Sequence, residues 1–341
     1  MSHPAGIVRR LGLLTAIGAT AFSLAGAPAE AAGNKLTVVL GYLPNVEMYG
    51  AKYALTEGLY KEAGLDVTQV PGGQGIDQVQ MVATGLADVG LATGNAIILG
   101  AAKGQDFAII GATLQRSPSA MTCRKDANVS SPADLKGKRV GVKTAGRPFF
   151  QIFMAKNGLT ESDMTVSGIG GSDIAQIIAG QIDCMVTTFV FNEPYLINKA
   201  GVPVNVLLLS DYGMDASADV YFVKRSYLDD PANREGLVKL MNSDAKAWST
   251  FMKDPAAAAK YVIDKGFIDG LDLDQQTYQA EQQAKFMTSP LTKEKGILWV
   301  NPQTFAVNAQ YLFDAKLSST LVDTGKMIDT SIVEKADTPK F

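Results

Sequence analysis

Two stretches of this chain repeat each other's punctuation, and the repeat restricts the fold more than any other feature. "EAGLDVTQVPGGQGIDQVQMVATGLADVGLATG" begins at Glu62 and "KNGLTESDMTVSGIGGSDIAQIIAGQIDCMVTTF" at Lys156. Each passes through a helix end at Gly-Leu, a short strand, a glycine-rich loop, an aspartate, a helix closed by glycine, and x-Asp before a buried strand. Gly64 corresponds to Gly158, Asp77 to Asp173, Gly85 to Gly180 and Asp88 to Asp183. An apolar strand opens each unit, at 36–40 and 139–142, so the pattern predicts two βαβαβ units. Strands joined through helices run parallel, and ligands bind beyond the C-terminal ends of such strands. The loops that matter are then 44–49, 72–75 and 93–95 in the first unit, and 144–149, 168–172 and 187–193 in the second.

Between the units, "FAIIGATLQRSPSAMTCRKD" reads as two strands broken at Ser117 and Pro118; after the second, "VPVNVLLLSDYGMDASADVYFVKR" reads as strand, polar break, strand. Two matching crossings predict a two-lobed α/β chain. Lobe one takes 35–115 and 218–341, lobe two takes 119–210, and the hinge lies near 115–119 and 210–218. From Pro231 onward, helices are expected at 233–253, 255–265, 274–288 and 302–315, each opened by an N-cap or a proline, and these dress the first lobe.

With 341 residues, 47% hydrophobic content and a net charge of -3, the chain can bury a core for two lobes and carries no basic footprint for nucleic acid. Arg9 and Arg10, the apolar stretch 11–27 and the small-residue patterns APA and AEA read as a secretory signal peptide over 1–31, which predicts a periplasmic protein. His3 is the only histidine and leaves with that leader. The mature chain is thereby denied Ser-His and Cys-His nucleophiles, an imidazole base and His-containing zinc sites. Cys123 and Cys184 are the only cysteines; the simpler reading is two buried thiols, with a bridge between neighbouring strands as the alternative.

The string "SSPADLKGKRVGV" at 130–142, the opening "GYLPN", the phrase "GLADVGLATG" and the paired repeats resemble bacterial ABC-transporter solute-binding proteins of the family that carries alkanesulfonates, taurine, nitrate and thiamine-pyrimidine precursors. The resemblance covers roughly 36–255 and implies the periplasmic-binding-protein fold, with a ligand cleft between the lobes. It implies a monomer that captures a small solute without chemistry, cofactor or metal, and delivers it to an inner-membrane permease and its ATPase. A different class, the thiamine-precursor synthases that share the fold, depends on histidine and a run of cysteines, which this chain lacks. A sensory domain would need an attached signalling segment.

Candidate ligand residues follow from the strand-end loops. "GYLPNVEMYG" offers Asn45, Glu47 and Tyr49, with Thr93 and Asn95 expected beside them because third strands neighbour first strands; Gln115 at the first crossing joins this set. Thr144, Arg147, Phe189 and Glu193 face them across the cleft. Carboxylates suit N–H donors and aromatic side chains give a flat wall, which favours a planar nitrogen heterocycle such as an aminopyrimidine. An alkanesulfonate or other organic anion on Arg147 is the alternative, since in anion-binding relatives the loop "TAGRPFF" supplies small residues and helix N–H groups. Plainer readings stand beside these: Glu47 as helix-start chemistry, Tyr49 as packing, Arg147 in an ion pair, Glu193 as an N-terminal acid before proline. The clusters "PGGQG" and "GIGG" lack phosphate-loop spacing and read as tight turns, although Ser172 and the helix start after it could donate backbone N–H groups. Asp229 and Asp230 before Pro231 read as a helix start.

Overall fold

The computed structural model describes Met1 and residues 34–73, 75–143, 146–170 and 174–341. The leader expected at 1–31, Thr144, and Ser172 and Asp173 of the second glycine loop lie outside the described residues.

Among the described residues, ten strands form two sheets of five. The strands are β1 (Lys35–Val39), β2 (Asp66–Val70), β3 (Val89–Ala92), β4 (Phe107–Leu114), β5 (Ser119–Arg124), β6 (Arg139–Lys143), β7 (Thr165–Ile169), β8 (Cys184–Phe189), β9 (Val204–Leu208) and β10 (Ala218–Lys224). The orders β2-β1-β3-β10-β4 and β7-β6-β8-β5-β9 are the same pattern used twice. In each sheet three strands pair in parallel, and one antiparallel strand, β10 or β5, has been received from the other side of a crossing. All eight residues of β4 are buried, as are all but the last of β10. Central strands covered on both faces lose the polar alternation of a half-exposed sheet, which is why these segments read as continuous apolar runs.

The repeat has a bonding explanation. Thr37 donates its N–H to Asp88 Oδ2 at 2.8 Å, and the Asp88 N–H returns to the Thr37 carbonyl at 2.9 Å. Arg139 and Asp183 do the same in the second sheet, both at 2.8 Å. Each aspartate thus ties the start of the third strand to the start of the first. Gly85 and Gly180 end the preceding helices at φ 78° and 68°, the left-handed cap that glycine adopts without a Cβ penalty. In the first glycine loop, a Cβ on Gly72 would sit 2.2 Å from the Leu40 carbonyl oxygen, so the loop is glycine-rich because two chain segments touch there.

The helices past the second crossing begin where their caps predict. Asp230 accepts from Ala232 N–H ahead of Pro231–Lys253, Asp254 from Ala257 N–H ahead of Pro255–Asp264, and Asp272 from Gln275 N–H ahead of Leu273–Met287. Pro302–Asp314 follows the cap Asn301. Leu273–Met287 does more than dress the first lobe. Tyr278 stacks on Tyr195 of the helix Glu193–Lys199 with ring centroids 5.0 Å apart and donates to the Val190 carbonyl at 3.3 Å, so this helix joins the second sheet's helices as well.

The simpler reading of two free thiols gives way. Cys123 on β5 and Cys184 on β8 are directly opposed across the antiparallel pair, Cα atoms 3.9 Å apart, and form a disulfide.

Candidate functional site

A cleft of about 530 Å³ opens where the first-strand loop, the end of β8 and the helix Leu273–Met287 meet. Tyr42, Leu43, Asn45 and Glu47 line it from the loop after β1; Lys143, Phe189, Phe191, Asn192 and Glu193 line it from the ends of β6 and β8. Gln275, Gln276 and Gln279 close a third side with residues 268–271.

Local bonds fix the first wall. Asn45 accepts from the Glu47 N–H at 2.9 Å and caps the turn Val46–Met48, while the helix Leu273–Met287 satisfies that turn's backbone: Val46 N–H donates to Gln276 Oε1 at 2.9 Å, and Gln283 Nε2 to the Glu47 carbonyl at 3.2 Å. Glu47 is half-buried and lines the cleft. Burial, then the charges of Asp219 and Glu193, raise its pKa well above the ordinary carboxylate range, against a hydrogen bond from Gln279 that favours ionisation. The Tyr42 hydroxyl is also pushed up, by burial and then by the charges of Glu47 and Glu193.

The opposite wall is organised by Glu193. One oxygen accepts from Lys143 Nζ at 2.5 Å and the other from the Phe189 N–H at 2.8 Å, so this nearly inaccessible carboxylate folds the β8 end back onto its helix. The turn is sharpened by Thr187, which sits at φ 60° beside a register shift in the β5–β8 pair. A β-branched side chain in the left-handed region is strained; here the irregularity falls two residues before Phe189, whose ring lies 5.8 Å from that of Phe191.

Asn45, Glu47, Phe189 and Glu193 are therefore brought together, and the other described candidates are not. Tyr49 is 1% exposed in the first-lobe core, packed on Tyr53, Trp248, Phe251 and Tyr261, because it begins a helix whose inner face meets Pro231–Lys253. Thr93 caps its helix through Ala96 N–H, and Asn95 accepts from the Tyr311 hydroxyl at 2.5 Å. Gln115 is buried at the crossing, donating to the Trp299 carbonyl at 2.9 Å and accepting from the Ser289 hydroxyl. Arg147 is exposed and paired with Glu161, away from the cleft lining. Thr144 lies outside the described residues.

Sequence reasoning missed Lys143, Tyr42, Asn192 and the glutamine wall. The last left a signal. Gln276, Gln279 and Gln283 are 1%, 3% and 0% exposed, at the spacing of an apolar helix stripe. Buried amides at core positions mean that the face meets polar groups.

Two five-stranded sheets joined by two crossings, with a cleft beyond the parallel strand ends, define the periplasmic-binding-protein fold. The family model described as "NMT1/THI5 like" matches residues 45–258, and the chain belongs to that family. It is 24% identical over 308 residues to the riboflavin-binding protein RibY of Chloroflexus aurantiacus, covering 88% of this chain and 86% of the relative. It is 23% identical to the formylaminopyrimidine-binding protein of Halalkalibacterium halodurans, covering 66% and 69%. Among solved structures, the periplasmic aliphatic sulphonate binding protein SsuA of Escherichia coli superposes with a TM-score of 0.63 at 19% identity, over 87% of this chain and 92% of that one.

Proposed function

We propose that the chain is the periplasmic solute-binding component of an ABC importer, and that its solute is a planar nitrogen heterocycle related to the thiamine pyrimidines. The observation that carries the ligand class is the cleft lining. Lys143, the only cation among the described lining residues, is already paired with Glu193, whereas Glu47 lines the cavity without a cation beside it. An oxyanion would meet carboxylates there, while ring N–H and amino groups would meet acceptors. Tyr42 and Phe189 supply apolar ring faces, and amides from Asn45, Asn192 and Gln275 supply mixed donors and acceptors. The names of two relatives, one binding riboflavin and one formylaminopyrimidine, support a flat heterocycle. Burying the solute between lobes that turn about residues 115–118 and 209–217 gives a closed form that a permease and its ATPase can distinguish from the empty one.

The export signal read in the sequence supports the periplasmic site of action, as does the disulfide, a bond that persists in oxidising compartments. An organic anion is the competing solute; with Arg147 held by Glu161, it would have to displace Glu193 from Lys143. Mass spectrometry of small molecules released by denaturing freshly purified protein tests the proposal. A nitrogen heterocycle is expected, and a released sulfonate or a chemically altered product would overturn it.

A further inference from the structure

Arg116 stands on the first crossing and touches both sides of the hinge. Its Nη2 donates to Ser210 Oγ and to Asp211 Oδ1, each at 2.6 Å, so the first crossing holds the turn Leu209–Tyr212 that opens the second. Its guanidinium carbon also lies over the ring of Phe286, 5.7 Å from the centroid, within the range at which the ring's quadrupole attracts a cation. The side chains of Arg116 and Asp211 are 41% and 57% accessible, and an ion pair that open to water counts for little by itself. What distinguishes Arg116 is that one planar group meets a carboxylate, a hydroxyl and a ring together, a combination that lysine's compact ammonium does not reproduce.

The partners of Arg116 belong to different bodies. The turn Leu209–Tyr212 is fixed to the second lobe: Leu209 is buried, and the Tyr212 ring meets Phe153 of the helix Arg147–Lys156 edge-on at 6.2 Å. Phe286 sits on the helix Leu273–Met287, and its carbonyl accepts from the Gln115 N–H of the first crossing at 2.8 Å. The crossings also touch where the Ser117 N–H donates to Asp215 Oδ1 at 2.9 Å. A rotation about that point moves Ser210 and Asp211 relative to Phe286, and a side chain that grips both ends resists it. Phe286 in turn meets Phe191 edge-on at 6.3 Å, and Phe191 lines the cleft beside Phe189, 5.8 Å from ring to ring. A continuous row of contacts therefore runs from the cleft wall to the hinge.

We propose that Arg116 is a positioning residue that clamps the hinge and sets the angle between the lobes, and that Phe286 and Phe191 couple this clamp to the cleft wall. The inference rests on the closing motion proposed above and not on the identity of the solute. A row of contacts is not by itself a coupling; the physical content here is that one side chain holds Asp211 and Phe286 together at one lobe angle and loses one of them at another. A solute pressed on Phe189 and Phe191 acts on the Phe286 ring and so biases the clamp, without contact between the solute and Arg116.

Spin labels on Leu86→Cys and Gln181→Cys report the lobe angle in ligand-free mature protein by pulsed EPR. These exposed positions follow Gly85 and Gly180, the equivalent helix-closing glycines of the repeat, and stand outside the cleft lining. Cys123 and Cys184 are joined to each other and take no label. Arg116→Ala is expected to raise the population outside the wild type's main distance peak by about two- to fivefold, the range that an exposed cation–aromatic contact supports. Arg116→Lys, which keeps the charge, should do the same, as should Phe286→Leu, which leaves Ser210 and Asp211 in place. Combining Arg116→Ala with Phe286→Leu should add little to either, because both remove one grip. Phe191→Leu should change the distribution in the wild-type background and not in Arg116→Ala. A distribution unchanged by Arg116→Ala overturns the clamp, even where the urea midpoint falls, since a merely structural role lowers stability without moving the lobes. Additive effects of Arg116→Ala and Phe286→Leu overturn the joint grip, and equal effects of Phe191→Leu in both backgrounds overturn the coupling to the cleft. No solute is added, so the clamp stands or falls separately from the nitrogen heterocycle.

Discussion

Lys143 Nζ lies 2.5 Å from Glu193 Oε1, in an ion pair whose carboxylate is 1% exposed and whose ammonium is 18% exposed. The pair spends the cleft's cation and anchors the β8 end at once. Removing one partner of such a pair leaves an uncompensated buried charge, at a cost of about 3–5 kcal/mol, whereas neutralising both is far milder. Lys143→Met is expected to lower the urea midpoint strongly, and adding Glu193→Gln to restore most of it. The same variant separates the two solute classes: a heterocycle held by Glu47 should still bind Lys143→Met at low temperature, and an anion held by Lys143 should not.

The disulfide closes a segment with a sequence separation of 61. Chain-entropy reasoning assigns a loop of that size about 4 kcal/mol. Cys123→Ala with Cys184→Ala should therefore unfold at clearly lower denaturant than the wild type, and wild type in dithiothreitol should match the double variant. Solute affinity should change little, because the bridge sits at the end of the β5–β8 pair remote from Phe189. Coincident unfolding curves for oxidised and reduced protein would remove the bridge from the account of stability.

Asp244 gives a pH dependence whose sign can be worked out. It is buried in the first-lobe core, accepting hydrogen bonds from Tyr60 and Tyr221, and burial raises its pKa to about 7 against 3.8 for an ordinary aspartate. A raised folded-state pKa favours the native state fully below the unfolded value, and that advantage is lost as pH rises to the folded value. Between about pH 4 and 7 the wild type should lose stability relative to Asp244→Asn by roughly 1.4 kcal/mol per pH unit. Paired urea titrations at pH 5, 6 and 7 measure the difference. A difference that stays constant over that range would mean Asp244 is ionised in the native protein.

The fold was legible because the repeat is written in residues with backbone duties. Asp88 and Asp183 tie third strands to first strands, and Gly85 and Gly180 close helices, so their spacing shows through even where side chains differ. The site was legible only in part. Asn45, Glu47, Phe189 and Glu193 line the candidate cleft because strand-end loops converge in this topology. Thr93, Asn95 and Gln115 share those positions, but their polar atoms are engaged by helix caps and by residues more than 170 positions away, such as Tyr311, Trp299 and Ser289. The glutamine wall comes from a helix after the second crossing, and no local pattern says which cleft a distant helix will close. Tyr49 shows the opposite limit: its hydroxyl suggested a ligand contact, but helical phase turns its ring into an aromatic core.

The stack of Tyr195 on Tyr278 leads to a prediction about closure. The rings lie 5.0 Å apart on helices associated with different sheets, and Gln275 donates to Asn192 Oδ1 at 3.3 Å beside them. Neither tyrosine lines the cleft, so truncating one leaves the cleft's lining residues in place. An aromatic pair is worth about 0.5–1.5 kcal/mol beyond its buried area. If that energy favours closure, Tyr278→Ala should weaken solute affinity by about 2- to 10-fold and enlarge the radius of gyration of the empty protein in X-ray scattering. The exposed pair Lys260–Asp264 on the helix Pro255–Asp264, at 2.6 Å with side chains 65% and 56% accessible, serves as the control. Exposed ion pairs contribute little, so Lys260→Ala should leave both readouts nearly unchanged. A Tyr278→Ala protein with wild-type affinity and an unchanged scattering curve would show that the stack holds the helices together without biasing closure.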